Sequence, residues 1–321
     1  MKTGSKINSV IKILAAATAV MFLGCQPAFA AGSFSDNSEG DENFVAINYL
    51  QEKGLIEGYE DGSFKPLNEV NRAEAIKMII AALPGPETKN KEVFDFSDVL
   101  ETDWFYPFLI QAWDNYLISG YSDGLFHPER VINRVESLKI ALKQEGKPIP
   151  VSIDENPYSD VEIDSWYAPY AKIADDRRLF FKSRNSGSLF PDINMNRGAL
   201  AELIYRILKT GEGTKFGRAT WYADFLAQSK TASGEPYAPD AFTAAHRTLP
   251  FGTKLLVTNL SNGKSVQVIV NDRGPYSTGA DLDLSKSAFA AIASTGAGII
   301  NTEYKIIDEN TSLSDIPDYG F

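Results

Sequence analysis

The sequence predicts two unlike domains, an α-helical bundle built from three copies of one unit and then a small all-β barrel. Two observations carry this. Landmark residues recur three times before residue 210 at spacings of 62 or 63, the mark of a repeat array whose units cannot bury an apolar face alone. After Phe216 the chain changes to short alternating apolar runs punctuated by Gly, Asn and Asp, as in a compact β domain. A length of 321 residues suits two domains, and a hydrophobic share of 44% supplies a core.

Charge separates the two parts and excludes one class of partner. The net charge of −11 argues against nucleic acid, because phosphate binding rests on Lys and Arg. Residues 213–307 hold nine Lys/Arg against seven Asp/Glu, or +2. The segment 308–321 has four acids and no base, an acidic tail, which leaves −9 for everything before residue 213.

The first element is a leader. Lys2, Lys6 and Lys12 precede the apolar stretch Ile13 to Gly24, and Ala28-Phe29-Ala30 offers a small-x-small cleavage site. Residues 1–30 therefore read as a secretory signal peptide, too short in its apolar run to span a bilayer. Phe22-Leu23-Gly24-Cys25 also resembles a lipoprotein box, with Cys25 as the lipidated residue. Plain export is the preferred reading, and a membrane contact is expected only if Cys25 is acylated. Either way the chain is exported to the cell envelope, in the wall or periplasm, and needs no disulfide.

The repeats follow. FSDN at Phe34, FSDV at Phe96 and YSDV at Tyr158 align, so that Asp36, Asp98 and Asp160 lie 62 apart. Arg72, Arg134 and Arg197 each follow a proline by six residues and are spaced 62 and 63. The units span 33–83, 96–146 and 158–209, joined by linkers at 83–86 and 147–150. Each reads as helix, turn, helix. In the second, WFYPFLIQAWDNYLIS has helical apolar spacing and Gly120 stops it, Gly-Tyr-Ser-Asp-Gly turns, and Asn133 caps the next helix.

By the FSDV start, the GYxDGxFxP turn and the NRAE/NRVE helix start, this region resembles the S-layer homology domain over about residues 33–209. The resemblance implies a pseudo-threefold bundle whose inter-repeat grooves bind a secondary cell-wall polysaccharide, often bearing pyruvyl ketals. It carries Asp36, Asp98, Asp160, Arg72, Arg134, Arg197, Trp104 and Trp166 onto the groove walls. An Arg at a helix N-terminus meets an anion with a planar fork, and a Trp offers a flat apolar face to a sugar. The alternative is that each Arg pairs with a neighbouring Asp to hold the bundle. Glu42 replaces the Trp in the first repeat, and the third reads NRGA with an SRNSG turn. These departures predict one degenerate groove.

Thr210 to Thr214 links to the last domain, 214–307. KLLVTNL, KSVQVIVN and EYKII read as strands, Asn262-Gly263 as a hairpin turn, and Ser285 to Ile292 as the one helix. The stretch carrying TASGE, TAAHRTLPFGT, VTNLSNG, VNDRGP and DLS in order resembles the rare lipoprotein A family over about residues 216–307. That family's members are lytic transglycosylases on a six-stranded double-psi β-barrel. They cleave the MurNAc–GlcNAc bond of peptidoglycan glycan, preferring peptide-poor strands, and leave 1,6-anhydro ends. Ala223 stands where the family has Gly.

The resemblance makes Asp272 the acid/base and carries Glu235 and His246 onto the site. An Asp titrating near ~3.9 must be held protonated to act as an acid. Glu235 is open to three roles: sharing that proton, supplying a second negative charge, or stabilising an oxocarbenium-like state. His246 is either a site residue or a buried structural hydrogen-bonder. Trp221 and Tyr222 either stack on sugar or belong to the core, Ser233 and Arg273 are further substrate-binding candidates, and continued alternation past Asn271 would turn the Arg273 side chain away from the groove. Asp283 reads as structural. No metal site or cofactor is expected, because the histidines are His127 and His246 alone and the one cysteine is in the leader. The alternative to the enzyme is a non-catalytic, expansin-like peptidoglycan binder tethered by the repeats, and a hydrolase is a third reading.

Overall fold

The computed structural model describes residues 34–85, 96–223, 226–276 and 279–308. The leader with Cys25, Pro86 of the first linker and the tail beyond Asp308 lie outside these. Among the described residues, six helices build the first domain in three pairs: α1 (Phe44–Glu52) with α2 (Arg72–Ala82), α3 (Tyr106–Asp114) with α4 (Arg134–Glu145), and α5 (Ala168–Asp176) with α6 (Arg197–Gly211). Among the described residues no helix is long and apolar enough to cross a membrane.

The pairs close on one another through backbone. The amide of Val70 donates to Met195 (2.9 Å), that of Met195 to Ile132 (2.9 Å), and that of Ile132 to Val70 (3.1 Å). All three side chains are buried, so a cyclic set of hydrogen bonds marks the pseudo-threefold axis. The following residues start the second helix of each repeat. Asn71 and Asn133 accept from Glu74 N and Glu136 N in full capping boxes, and Asn196 accepts from Ala199 N.

The repeated aspartates explain the turns. Asp36 accepts the amides of Phe64 and Lys65 (2.7 and 2.8 Å), Asp98 those of Phe126 and His127 (3.0 and 2.7 Å), and Asp160 those of Leu189 and Phe190 (2.8 Å each). Lys65, His127 and Phe190 all have positive φ, at 57°, 56° and 57°. This left-handed backbone is costly for residues with a Cβ. It turns successive amides towards one point, where the carboxylate takes both.

One sequence expectation needs correcting here. Helix α3 ends at Asp114, not at Gly120, because Tyr116 adopts a left-handed conformation (φ 55°) that closes the helix two residues on. Arg178 does the same after α5, where the first repeat has Gly54.

Helix α6 runs on through Gly211, so only Glu212 to Thr214 separate it from the second domain. There β1 (Lys215–Trp221), β2 (Thr243–Ala245), β3 (Lys254–Asn259), β4 (Ser265–Asp272), β5 (Leu282–Leu284) and β6 (Ile300–Ile307) close a barrel in the order β1-β5-β2-β4-β3-β6. Strands β1 and β5 pair in parallel, as do β2 and β4, and the other pairs are antiparallel. The expected hairpin joins β3 to β4, with Gly263 at φ 70°. Val266, Val268 and Val270 point inward with Leu255, Val257, Leu282 and Leu284, and helix α7 (Lys286–Ile292) adds Phe289 and Ile292 to that core. The architecture is thus the expected helical pseudo-threefold bundle followed by a six-stranded barrel.

Replacing Asp98 with Asn keeps the shape but sets an amide against a backbone N–H. Asp98→Asn is expected to lower bundle stability by about 2 kcal/mol, the cost of a lost charged hydrogen bond, read as a lower urea midpoint. An unchanged midpoint would remove the turn-holding role.

Candidate functional site

Asp272 is the last residue of β4, and strict alternation would carry it inward after Val266, Val268 and Val270. The register prevents this. Ala244 pairs with Val270 but Ala245 pairs with Asp272, so β4 carries an extra residue at a bulge. Asp272 is half-buried at the strand end. Ala245 pairs on its other side with Asp283, which pairs with Thr220. Thr220, Asp283, Ala245 and Asp272 therefore form one row across four strands, with the two carboxylates flanking a methyl group.

Three donors hold the Asp272 carboxylate. Oδ1 accepts the amides of Ala232 (2.7 Å) and Arg273 (2.8 Å), and Oδ2 accepts the Tyr222 hydroxyl (2.6 Å). Among the described residues, both acceptor directions of Oδ1 are thus in use, while Oδ2 takes a single donor. Burial, then the hydrogen bond to Asp272, pushes the Tyr222 phenol well above its ordinary range, so it is the donor of that pair. Tyr237 supports it, ring against ring at 4.9 Å. Burial also raises Asp283, against the pull of a 2.9 Å hydrogen bond from Thr220, and the charge of Asp272 adds to the rise.

Glu235 reaches the same rim. The turn from Thr231 to Glu235 closes by Thr231 N to Glu235 O (2.8 Å), Ser233 N donates to Asn271 O (3.2 Å), and Asn271 Nδ2 donates to the exposed Glu235 carboxylate (3.0 Å). Ser233 Oγ pairs with Thr231 Oγ1 (3.0 Å) within this turn. Gly274, at φ 133°, supplies a conformation that side chains resist and starts the loop after the carboxylate.

The other expected site residues do different work. His246 is buried, its Nδ1 accepts the amides of Thr248 (3.2 Å) and Leu249 (3.0 Å), and its ring lies edge-on to Tyr304. These bonds tie the ring to the loop that follows β2. The residue reaches Asp272 through backbone, His246 N to Asp272 O at 3.2 Å. Arg273 turns its guanidinium onto Phe251 (3.8 Å) and donates to His246 O (3.3 Å), away from the carboxylate as alternation suggests. Trp221 packs on the barrel core and donates Nε1 to Thr295 O (3.1 Å), so of the aromatic pair Tyr222 alone joins the site. Neither Tyr237 nor Asn271 stands out in the sequence, since their roles exist only through the barrel's closure. Among the described residues, no group of three or more His, Cys, Asp or Glu could hold a metal.

The bundle presents grooves between repeats. One, a cavity of about 370 Å³, joins Arg197, Tyr59, Glu74, Lys77 and Trp104. A second, of about 140 Å³, joins the equivalent Arg72, Tyr121, Glu136, Lys139 and Trp166. Both tryptophans are half-exposed, each with a lysine over its ring. The arginines do not ion-pair with the repeated aspartates among the described residues. Arg72 donates to Phe126 O (3.1 Å) and Ser119 O (3.3 Å), Arg197 to Phe64 O (2.9 Å) and Glu57 O (3.1 Å), and Arg134 to Leu189 O. Each thereby clamps the turn of the next repeat and stacks on its aromatic residues, with guanidinium N–H groups left over for a ligand. The aspartates have both oxygens on backbone amides, so of the proposed groove residues they hold the turn rather than face the groove.

Burial, with Lys215 adding to it, holds the His246 imidazole below its usual range. The unfolded chain takes up that proton near pH ~6.5 while the fold resists, so the barrel's stability is complete above that value and falls as pH drops below it. Urea midpoints at about pH 7.5 and about pH 5.5 should show this loss, and His246→Gln should make it smaller.

Comparison with known proteins locates the two domains. A family described as lytic transglycolase matches residues 214–304, and the S-layer homology domain matches 33–76 and 95–136. The "Probable endolytic peptidoglycan transglycosylase RlpA" of Treponema pallidum is 46% identical over 98 residues, 30% of this chain and 31% of that one. A protein of the same name from Synechocystis is 48% identical over 93 residues, 29% of each chain. The "Endolytic peptidoglycan transglycosylase RlpA" of Vibrio cholerae is 43% identical over 104 residues, 32% of this chain and 40% of that one. The chain thus spans well under half the length of these relatives. An expansin structure from Clavibacter michiganensis aligns over 31% of this chain and 52% of its own, with 27% identity and a TM-score of 0.27. Residues 214–304, the closed barrel, thus match the lytic transglycolase family and resemble the RlpA-named relatives, and they lie behind a bundle whose first two repeats match the S-layer homology domain.

Proposed function

We propose that the chain is an exported lytic transglycosylase of the cell envelope, held on wall polysaccharide by its bundle while its barrel cleaves MurNAc–GlcNAc bonds in peptide-poor glycan. The observation that carries the reading is the Asp272 carboxylate, turned to the rim by a bulge and holding a single donor on Oδ2 among the described residues.

A proton on Oδ2 would pass to the glycosidic oxygen as the bond to the anomeric carbon breaks. The C6 hydroxyl of the same MurNAc then attacks that carbon, and its proton returns to Oδ2. The C1–O6 bond replaces the C1–O4 bond with no water consumed, which gives the 1,6-anhydro end. Tyr222 keeps donating to Oδ2 throughout and fixes its direction. Glu235 and Asp283 place negative charge near an oxocarbenium-like state, and His246 and Arg273 act as positioning residues on the loop. Tethering through the grooves raises local glycan concentration without touching the site. Anchoring would use Arg197 with Trp104 and Arg72 with Trp166, and a carboxylate-bearing saccharide such as a pyruvyl ketal suits these cationic, aromatic walls.

A second reading has its own support. Every contact of Asp272 is donated to it, which also suits a barrel that grips glycan without cleaving it, in the manner of expansins.

Digestion of peptide-stripped glycan strands with mass analysis of the products separates these readings. Anhydro ends are expected from the native chain, and Asp272→Asn should lower their rate by roughly 10²–10⁴-fold with the fold intact. Ends heavier by one water would mean hydrolysis, and no new ends would mean a binder. Trp104→Ala and Trp166→Ala should each weaken retention on isolated walls while leaving cleavage of soluble strands unchanged.

A further inference from the structure

The sequence departures of the first and third repeats look unrelated until the grooves are traced, because each groove is assembled from different repeats. The groove at Arg134 is the equivalent of those at Arg72 and Arg197. Where they have Tyr59 or Tyr121, Glu74 or Glu136, Lys77 or Lys139, and Trp104 or Trp166, it has Ser183, Ala199, Glu202 and Glu42. All four changes, three from the third repeat and one from the first, meet in a single groove. They remove both aromatic faces and exchange the cation for an anion. The aromatic and cationic groups that remain there are already engaged, since Arg206 and Arg218 cover the Phe181 ring and Arg206 pairs with Glu202 at 2.7 Å.

The same groove is where the barrel sits. Its remaining cavity, about 230 Å³, is lined by Arg134 and Glu42 of the bundle and by Arg218, Leu260 and Asn301 of the barrel. Arg206 of α6 lies between Phe181 of the groove (4.2 Å) and Phe216 of β1 (4.9 Å). Arg218 of β1 covers the Phe181 ring (4.9 Å) and donates to Lys182 O (3.0 Å). Beside it, Tyr205 donates to Glu303 (2.6 Å) in a buried pair, Val45 N donates to Leu260 O (3.4 Å), and Phe216 and Leu260 join the bundle's core. With a linker of only three residues, Glu212 to Thr214, the barrel has little reach to dock elsewhere.

We propose that the third groove has become the seat of the barrel, so that two grooves remain for saccharide and the catalytic rim keeps one fixed orientation to them. The occupant is this chain's own barrel. The count of two rests on the wall-anchoring reading, whereas the seat does not.

The test uses the full chain with Cys25→Ser and spin labels at Leu100→Cys in the second repeat and Ile306→Cys on β6, both exposed positions. A seated barrel gives one narrow label-to-label distance. Arg218→Ala should broaden it, and Leu260→Glu should broaden it further while far-ultraviolet circular dichroism stays native. A broad distribution in the unsubstituted background, matching that of Leu260→Glu, would overturn the seat. If Leu260→Glu fails to fold, the comparison with Arg218→Ala decides, and an unchanged narrow distance there would count against the Arg218–Phe181 contact as the lock. Titration with a synthetic hexosamine pyruvyl ketal should saturate at two equivalents, and a third would overturn the assignment. No uptake together with a narrow distance would fail the anchoring reading and keep the seat.

Discussion

The bundle depends on the ring of three backbone hydrogen bonds among Val70, Ile132 and Met195. Closing that ring puts the second helix of each repeat against the turn of the next, which is where Arg72, Arg134 and Arg197 clamp. The turns themselves are held in a left-handed backbone by Asp36, Asp98 and Asp160. Ring, clamp and turn are coupled, since the turn carbonyls that accept the arginines are those whose neighbouring amides the aspartates bind. The grooves are what this arrangement leaves open between repeats.

In the barrel the corresponding constraint is the bulge between β2 and β4. Val266, Val268 and Val270 commit β4 to an inward face, and one further residue of regular strand would bury a carboxylate among valines and leucines, at a cost of several kcal/mol unless it gave up its charge. The extra residue turns Asp272 to the rim instead, where the Ala232 amide of the Thr231–Glu235 turn, the Arg273 amide and the Tyr222 hydroxyl receive it. The position of His246 follows from the same geometry. Its backbone holds Asp272, and its ring secures the loop behind.

Much of this was legible from residues alone, and the misses share a cause. Triplication, capping residues, the Asn262-Gly263 hairpin, β3, β4, β6 and α7 all rest on local pattern, and they are found where the pattern puts them. Strands β2 and β5 are three residues each and pair with partners distant in sequence, so no local alternation marks them. The end of α3 was hidden because Tyr116, not a glycine, takes the left-handed position. The repeated aspartates look like ligands because the backbone that consumes them is set by Lys65, His127 and Phe190, residues with no turn preference of their own. At the site, Glu235 belongs to the turn whose Ala232 amide binds Asp272, while Tyr237, Asn271 and the approach of Asp283 arise only when the barrel closes. The departures in the first and third repeats are visible in the sequence, but not that they fall in the same groove.

The claim on which the functional account turns is that glycan reacts at the rim carboxylate. A crystal structure of the Asp272→Asn chain with a peptide-free glycan oligomer tests it most directly. The account predicts a sugar laid across Tyr222 and the Thr231–Glu235 turn, with one glycosidic oxygen at hydrogen-bond distance from residue 272. A saccharide bound in order elsewhere on the barrel, with residue 272 out of reach of every glycosidic oxygen, would contradict it.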